Sequence, residues 1–436
     1  MSAATLQSET TEVLQRLIRL NTVNPPGNER EAIEYLAGYL ARAGFETEVL
    51  GATPERPNLI ARLDGPAEGP TLCYLGHVDT VLAEPSEWDH DPWSGDLADG
   101  YLWGRGAIDM KSQVAAEAAA GAALAGSGWR PARGSLLLVF VADEETGGEL
   151  GAHWLTTNHP DKVRCDMLLN EGGGEVFEYE GRRHYGVCCS EKGIFRFTVT
   201  TAGVAGHASI PGMGDNALLK LGPVIQALAT RQPRFELTEE PLALLRGLGE
   251  DPDDPAGALA RIRAQSPGLA TIIEPMLGVT LAPTMVRASE KVNVIPSRAE
   301  LKVDCRVPAG FGADAARAGI DEVLGSSGFE IEFTEQVEGN RSSVSSPLME
   351  AIGRWVSAHD PGADAVPVIL PGFSDSRWFR DAFPECVAYG FFPQKHQTLL
   401  ECMPLMHSAN ERIDVRDLGF AAGCYADLAR ELLGEV

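Results

Sequence analysis

Apolar positions near the start of the chain recur at helical spacing. Val13, Leu14, Leu17 and Ile18 share one face, and Ile33, Leu36, Ala37 and Leu40 share another that Gly44 ends as a C-cap. Short strands are expected at Leu59–Leu63 and Leu72–Leu75, an alanine-rich helix at Gln113–Ala125, and a further strand at Leu136–Val141. These strands are apolar without alternation and are separated by helices, which predicts an α/β fold with a mostly parallel sheet covered on both faces. In such sheets sites gather at the carboxyl ends of the strands.

The pattern changes near Ser190. Phe195–Thr200 alternates like a half-exposed strand, and a helix follows around Ala217–Ala229. Alternating strands near Leu277–Val286 and Arg298–Val303 lead to a helix near Ala313–Leu324 and a strand at Phe329–Phe333. Strand–helix–strand–strand–helix–strand is a compact two-layer α+β unit. The expected organisation is a first part of one domain at 1–190, an inserted unit at 191–338, and the returning second part at 339–436. Residues 232–276 form a long helical and Pro/Asp-rich excursion inside the insert, either a substrate-shaping element or a solvated decoration.

Length and charge narrow the function classes. A chain of 436 residues exceeds one compact core, so two domains are expected. Its formal charge of −26 argues against nucleic acid and anionic membranes, because nothing neutralises phosphates. No apolar run is long enough to span a bilayer, and Met1–Thr11 lacks the basic and apolar regions of a leader. The 8 cysteines show no C-x-x-C spacing and read as buried reduced thiols of a cytoplasmic protein.

Candidate chemistry lies in acids and imidazoles dispersed along the chain. His77-Val78-Asp79 ends a strand, and alternation points His77 and Asp79 the same way. Asp109 sits in Gly104-Arg105-Gly106-Ala107-Ile108-Asp109-Met110-Lys111, a run with neither Walker nor dinucleotide spacing. Glu144-Glu145 directly follows a buried-type strand, and at a strand end the two side chains would diverge. Glu171 precedes Gly172-Gly173-Gly174 after another strand, and His407 opens His407-Ser408-Ala409-Asn410-Glu411-Arg412. Two histidines and several carboxylates at strand ends are the donor set of a two-metal hydrolase.

In this order the motifs resemble those of the zinc-dependent amidohydrolase family of aminoacylase, succinyl-diaminopimelate desuccinylase, acetylornithine deacetylase and glutamate carboxypeptidase. The likeness runs from Asn21-Thr22-Val23-Asn24-Pro25-Pro26-Gly27-Asn28-Glu29 to the C-terminus. It implies a zinc-peptidase-like catalytic domain with the insert as a lid and dimerisation domain, and hence a homodimer. It implies two divalent ions, zinc first and cobalt or manganese as alternatives. His77, Asp109 and Glu171 would hold one ion and Asp109, Glu145 and His407 the other. Asp79 would orient His77, Glu144 would be the general base, and the peptide bond after Asp109 would be cis. The residue after Lys111 is Ser112, where the family more often has glycine.

Outside that set, the resemblance gives His207, in Gly206-His207-Ala208-Ser209, the task of stabilising the oxyanion, with Asn293 of Asn293-Val294-Ile295-Pro296 as a companion. The alternative for His207 is a polar residue in a glycine-rich edge turn. Arg377, in Ser374-Asp375-Ser376-Arg377, would grip a substrate carboxylate as a fork or instead pair with Asp375 or Asp381. His90, His153, His159, His184, His359 and His396 read as surface or loop residues. The implied reaction is hydrolysis of the amide bond of a small N-acyl amino acid, with a dipeptidase or carboxypeptidase on the same machinery as the alternative.

Overall fold

A computed structural model describes residues 2–325 and 327–435. The chain divides into two compact units. One comprises residues up to Cys189, Ser342–Val368, and Phe373 onward; the other comprises Ser190–Arg341 and Ile369–Gly372.

The first unit is built on a ten-stranded sheet. Nine strands run in the order Glu46–Leu50, Asn58–Asp64, Ser135–Val141, Thr71–His77, Met167–Asn170, Val387–Gly390, Arg182–Glu191, Glu175–Tyr179, Gln394–Thr398, and Asp364–Leu370 pairs Arg182–Glu191. The four strands from Ser135–Val141 to Val387–Gly390 are parallel. Hairpin-type neighbours are antiparallel, Glu46–Leu50 on Asn58–Asp64 and Glu175–Tyr179 on Arg182–Glu191, while the outermost Gln394–Thr398 pairs Glu175–Tyr179 in parallel.

Both faces of the central strands are covered, as their unbroken apolar character demands. Leu136, Leu138 and Phe140 pack in one core with the helices Ala3–Ile18, Arg30–Ala43, Lys111–Gly126, Pro347–His359 and Val415–Leu433. Leu137, Val139 and Val141 face the opposite core, which Leu155 and Phe379 help to close. Gly44 ends its helix at φ 106°, a left-handed turn that glycine adopts without a Cβ clash. Helix Lys111–Gly126 is buried nearly all round, which explains why its apolar face shows no periodicity.

The second unit carries a five-stranded antiparallel sheet in which Gly193–Ile194, Arg298–Val307, Phe197–Ala202 and Glu330–Phe333 are successive neighbours. Thr280–Arg287 joins at Arg298–Val307. Helices Ala217–Thr230 and Ala313–Leu324 contribute Leu221, Val224, Ile320 and Val323 to the same core as Val199, Leu301 and Val303. Residues 232–276 hold three helices, Glu239–Gly247, Pro255–Gln265 and Pro267–Ile273, with Leu244, Leu259, Ile262 and Ile273 buried.

Two local readings change. His184 is neither at the surface nor in a loop: it is 1% exposed within the strand Arg182–Glu191, where its ring stacks on Phe177 at 5.5 Å. A histidine flanked by arginines looked solvated, but strand alternation turns it inward against the ring of its cross-strand partner. Glu144 and Glu145 sit in a 3-10 turn entered through Asp143 at φ 75°, not on extended strand.

Candidate metal centre

Parallel register assembles the centre. His77 lies opposite Val141, so the end of one strand stands beside the segment that leads into Glu144 and Glu145. On the other flank Tyr74 lies opposite Leu169, and that strand ends just before Glu171. Asp109 and His407 arrive on loops.

The six side chains converge. His77 Nε2 is 3.0 Å from Asp109 Oδ1, and His407 Nε2 is 3.0 Å from Asp109 Oδ2, so one carboxylate faces two imidazoles with separate oxygens. His407 Nε2 also lies 3.3 Å from Glu145 Oε2. Glu144 Oε2 and Glu171 Oε2 each stand 3.9 Å from His77 Nε2. The adjacent glutamates do diverge, Glu144 toward His77 and Glu145 toward His407. His77, Asp109 and Glu145 offer one donor atom each within 4.8 Å of one another, and so do His77, Glu144 and Glu171.

Asp79 lies behind this cluster and is fully buried. Its backbone carbonyl is 3.0 Å and its Oδ1 3.4 Å from His77 Nδ1, which leaves Nε2 facing the cluster. The same carboxylate accepts the backbone N–H groups of Glu144 and Glu145, both at 3.2 Å. The peptide bond between Asp109 and Met110 is cis.

Electrostatics show which groups the cluster perturbs. Burial, followed by the charge of Asp109, raises the Glu171 carboxyl to about 7. Burial and then Glu171 push Glu144 well above the ordinary carboxylate range, and burial raises Glu145. Burial also acts on Asp109, but hydrogen bonds from His407 and His77 outweigh it and hold that group low. Contacts with Asp109 and Glu145 raise His407 to about 10. Four carboxylates brought together out of water favour protons or cations among them. Two imidazoles and four carboxylates, with no cysteine in the set, are a nitrogen–oxygen donor set that fits divalent zinc, cobalt or manganese.

A model of peptidase family M20/M25/M40 matches residues 73–431. The chain belongs to this family. It is therefore a hydrolase acting on amide bonds, in a metal-dependent family. Succinyl-diaminopimelate desuccinylase of Xanthobacter autotrophicus is 28% identical over 426 residues, which cover 94% of this chain and 95% of that relative. The M20 family metallo-carboxypeptidase of Sulfolobus solfataricus superposes with a TM-score of 0.71 at 19% identity, over 98% of this chain and 99% of that one. Human carnosine dipeptidase 1 superposes with a TM-score of 0.68 at 16% identity, over 98% of this chain and 97% of the dipeptidase. These two likenesses establish the M20 fold.

The remaining sequence-derived residues of this M20 chain fall in two places. His207 and Asn293 belong to the second unit, where a short ladder pairs His207 with Val294 and Ala208 N donates to Asn293 O at 3.1 Å. His207 Nδ1 accepts the N–H of Ser209 at 3.2 Å, so the neutral ring carries its proton on Nε2. Arg377 lies in the first unit on the short helix Ser376–Ala382, 6% exposed, with its guanidinium over the rings of Phe373 at 5.1 Å and Trp378 at 5.4 Å. The segment before it packs on the Glu144–Glu145 loop: a Cβ on Gly148 would lie 2.6 Å from Asp375 Oδ1.

Sequence reasoning assigned no role to Glu411, Asn24, Arg56 or Asp143, which contact or belong to the ligand-bearing loops, nor to Glu29, which holds Arg56. Glu411, Asn24 and Glu29 do lie inside motifs that stood out, and that was their only signal. Arg56 gave none.

Proposed function

We propose that the chain hydrolyses the amide bond of small N-acyl amino acids at a two-metal centre. His77, Asp109 and Glu171 would hold one ion and Asp109, Glu145 and His407 the other. The observation that carries this reading is the split of Asp109, one oxygen toward each imidazole, with Glu144 beside the pair. Two divalent cations would supply Lewis acidity, lowering the pKa of water to about 7 and polarising an acyl carbonyl.

Glu144 is the general base. Burial and the charge of Glu171 raise its pKa, which makes its ionised carboxylate a stronger base, able to take a proton from the attacking water and return it to the leaving amine nitrogen. His207, with its proton on Nε2, donates to the developing oxyanion, and Asn293 next to it assists. Such donors are worth about 3–4 kcal/mol of transition-state stabilisation. Arg377, with its guanidinium near the rings of Phe373 and Trp378, anchors the substrate's free carboxylate. The likeness to succinyl-diaminopimelate desuccinylases supports a blocked acyl substrate for this chain rather than a free dipeptide.

A homodimer through the second unit is supported by its exposed apolar side chains. Leu219 is 73% exposed, and Met285 and Val286, on a strand with a single described neighbour, are 50% and 56% exposed. Such a surface fits a second copy of the chain. We place the protein in the cytoplasm on its eight buried free cysteines. Among the described residues, no helix is long and apolar enough to cross a membrane.

The test is amine release from matched N-acetyl, N-succinyl, long-acyl and aminoacyl derivatives, with zinc and with chelator. Chelator-sensitive turnover of blocked substrates supports the proposal, and turnover confined to free dipeptides replaces it with a dipeptidase.

A further inference from the structure

We infer that Arg56, with Asn24 and Glu29, is a positioning residue for the loop that carries Glu144 and Glu145, an inference that rests on Glu144 acting as the base. Asp143, just before Glu144, has φ 75°. A residue other than glycine keeps that left-handed conformation only when its surroundings hold it.

Asp143 is held on both oxygens. Oδ1 lies 2.8 Å from Arg56 Nη1, 3.2 Å from Asn24 Nδ2 and 2.7 Å from Thr146 Oγ1. Oδ2 accepts the N–H of Leu150 at 3.0 Å. Arg56 is fixed from its other edge by Glu29: Nε is 3.0 Å from Oε2, and Nη2 is 2.6 Å from Oε1. Glu29 is fully buried, and the Arg56 side chain is only 12% exposed. One planar guanidinium thus spans two carboxylates, which a lysine ammonium cannot do with the same geometry.

Asn24 joins this clamp to Asp79. Its Nδ2 lies 2.9 Å from Asp79 Oδ2, and Asp79 accepts the N–H groups of Glu144 and Glu145. The loop is therefore gripped at Asp143 by Arg56 and at its next two amides by Asp79, with Asn24 touching both carboxylates. Gly27 makes the approach possible, because a Cβ there would sit 2.2 Å from Arg56 Nε. Asn24-Pro25-Pro26-Gly27-Asn28-Glu29 is thereby explained as one device: an amide for the two aspartates, a gap for the guanidinium, and a carboxylate to orient it. None of these groups touches substrate; they act through the orientation of Glu144 and Glu145.

The experiment compares Arg56→Ala, Arg56→Lys, Asn24→Ala and Glu144→Gln in the full-length protein. Metal affinity is read by chelator competition with zinc, and kcat and KM are read on the substrate that wild type turns over. Expected for Arg56→Ala is a fall of about 10–100-fold in kcat and in affinity for the weaker-bound zinc, with KM within about threefold. Arg56→Lys should behave in the same way. Free guanidinium at low millimolar concentration should restore part of the Arg56→Ala loss and none of the Glu144→Gln loss, a response that a general loss of packing does not produce.

Wild-type turnover and zinc affinity in folded Arg56→Ala would overturn the inference, as would a loss that guanidinium leaves unchanged. Where Arg56→Ala does not fold, Asn24→Ala decides: wild-type values there overturn the inference, and reduced zinc affinity with reduced kcat supports it. Full activity in Glu144→Gln would remove the base itself, a failure distinguishable because zinc affinity in the Arg56 variants still reports on the clamp.

Discussion

Glu411 Oε1 accepts the backbone N–H of Asp109 at 3.0 Å across 302 positions of sequence. The same oxygen takes the N–H of Ile108 at 2.6 Å, and Oε2 takes Gly106 N at 3.2 Å and Arg105 Nη1 at 2.5 Å. Glu411 is fully buried and lies four positions after His407, so one carboxylate ties together the loops that present Asp109 and His407.

Glu411→Ala should therefore harm both stability and metal binding. It leaves the buried Arg105 guanidinium without its carboxylate, a change that costs about 3–5 kcal/mol. Denaturant unfolding of the metal-free variant measures that loss, and zinc stoichiometry measures the displaced ligands. Wild-type stability in Glu411→Ala would show that Arg105 finds another partner.

Glu144→Gln should separate binding from chemistry. The amide keeps the size of the side chain but cannot take a proton from water. Turnover should fall by about 10²–10⁴-fold, the usual contribution of a general base, while both zinc ions remain bound. Metal analysis alongside single-turnover kinetics checks this, and undiminished activity would transfer the role of base to another group.

Much of this centre was legible because its residues stand at the ends of unbroken apolar strands. His77 and Glu171 follow directly from strand placement, and Glu144 and Glu145 lie one short turn beyond a strand end. Asp109 and His407 were recognisable only by local motifs, since no periodicity marks a loop. The supporting contacts were not legible. Glu411 reaches Asp109 across 302 positions of sequence, and Arg56 stands in a stretch with no pattern at all. Long-range pairing of a charge with a buried backbone leaves no trace in local spacing. His184 failed for a related reason: its burial is decided by strand register and by Phe177, not by the arginines beside it in sequence.

Metal affinity should rise with pH. In the metal-free chain burial and Asp109 raise the Glu171 carboxyl to about 7, so below that pH an incoming cation must displace its proton. His407 is raised to about 10 by Asp109 and Glu145, so it too must release a proton before Nε2 can act as a ligand. Both signs agree: binding releases protons, and affinity falls as pH drops through 7. Titration calorimetry in buffers of different ionisation enthalpy would reveal the released protons. Affinity that does not change between mildly acid and mildly alkaline conditions would contradict the assignment of these two residues as ligands.

Lys192 provides a pH test of the second unit that is independent of the metal centre. It is 1% exposed, and its Nζ donates to Pro275 O at 2.8 Å and Gly278 O at 2.6 Å, neutral acceptors at the end of the helical excursion. Burial lowers its pKa to about 7. Between that value and the ordinary lysine range the unfolded chain holds a proton that the folded chain has lost. Unfolding free energy must therefore rise with pH across this window, by up to about 1.4 kcal/mol per pH unit for one proton, and the contribution is lost as pH falls through 7. Lys192→Met should remove that slope while the similar contribution of Lys111, also lowered to about 7 by burial, remains. Urea unfolding of wild type and Lys192→Met from pH 6.5 to pH 9, with both proteins metal-free, compares the slopes. Parallel pH dependence in the two proteins would mean that Lys192 keeps its charge inside the fold, held by the carbonyls of residues 275 and 278.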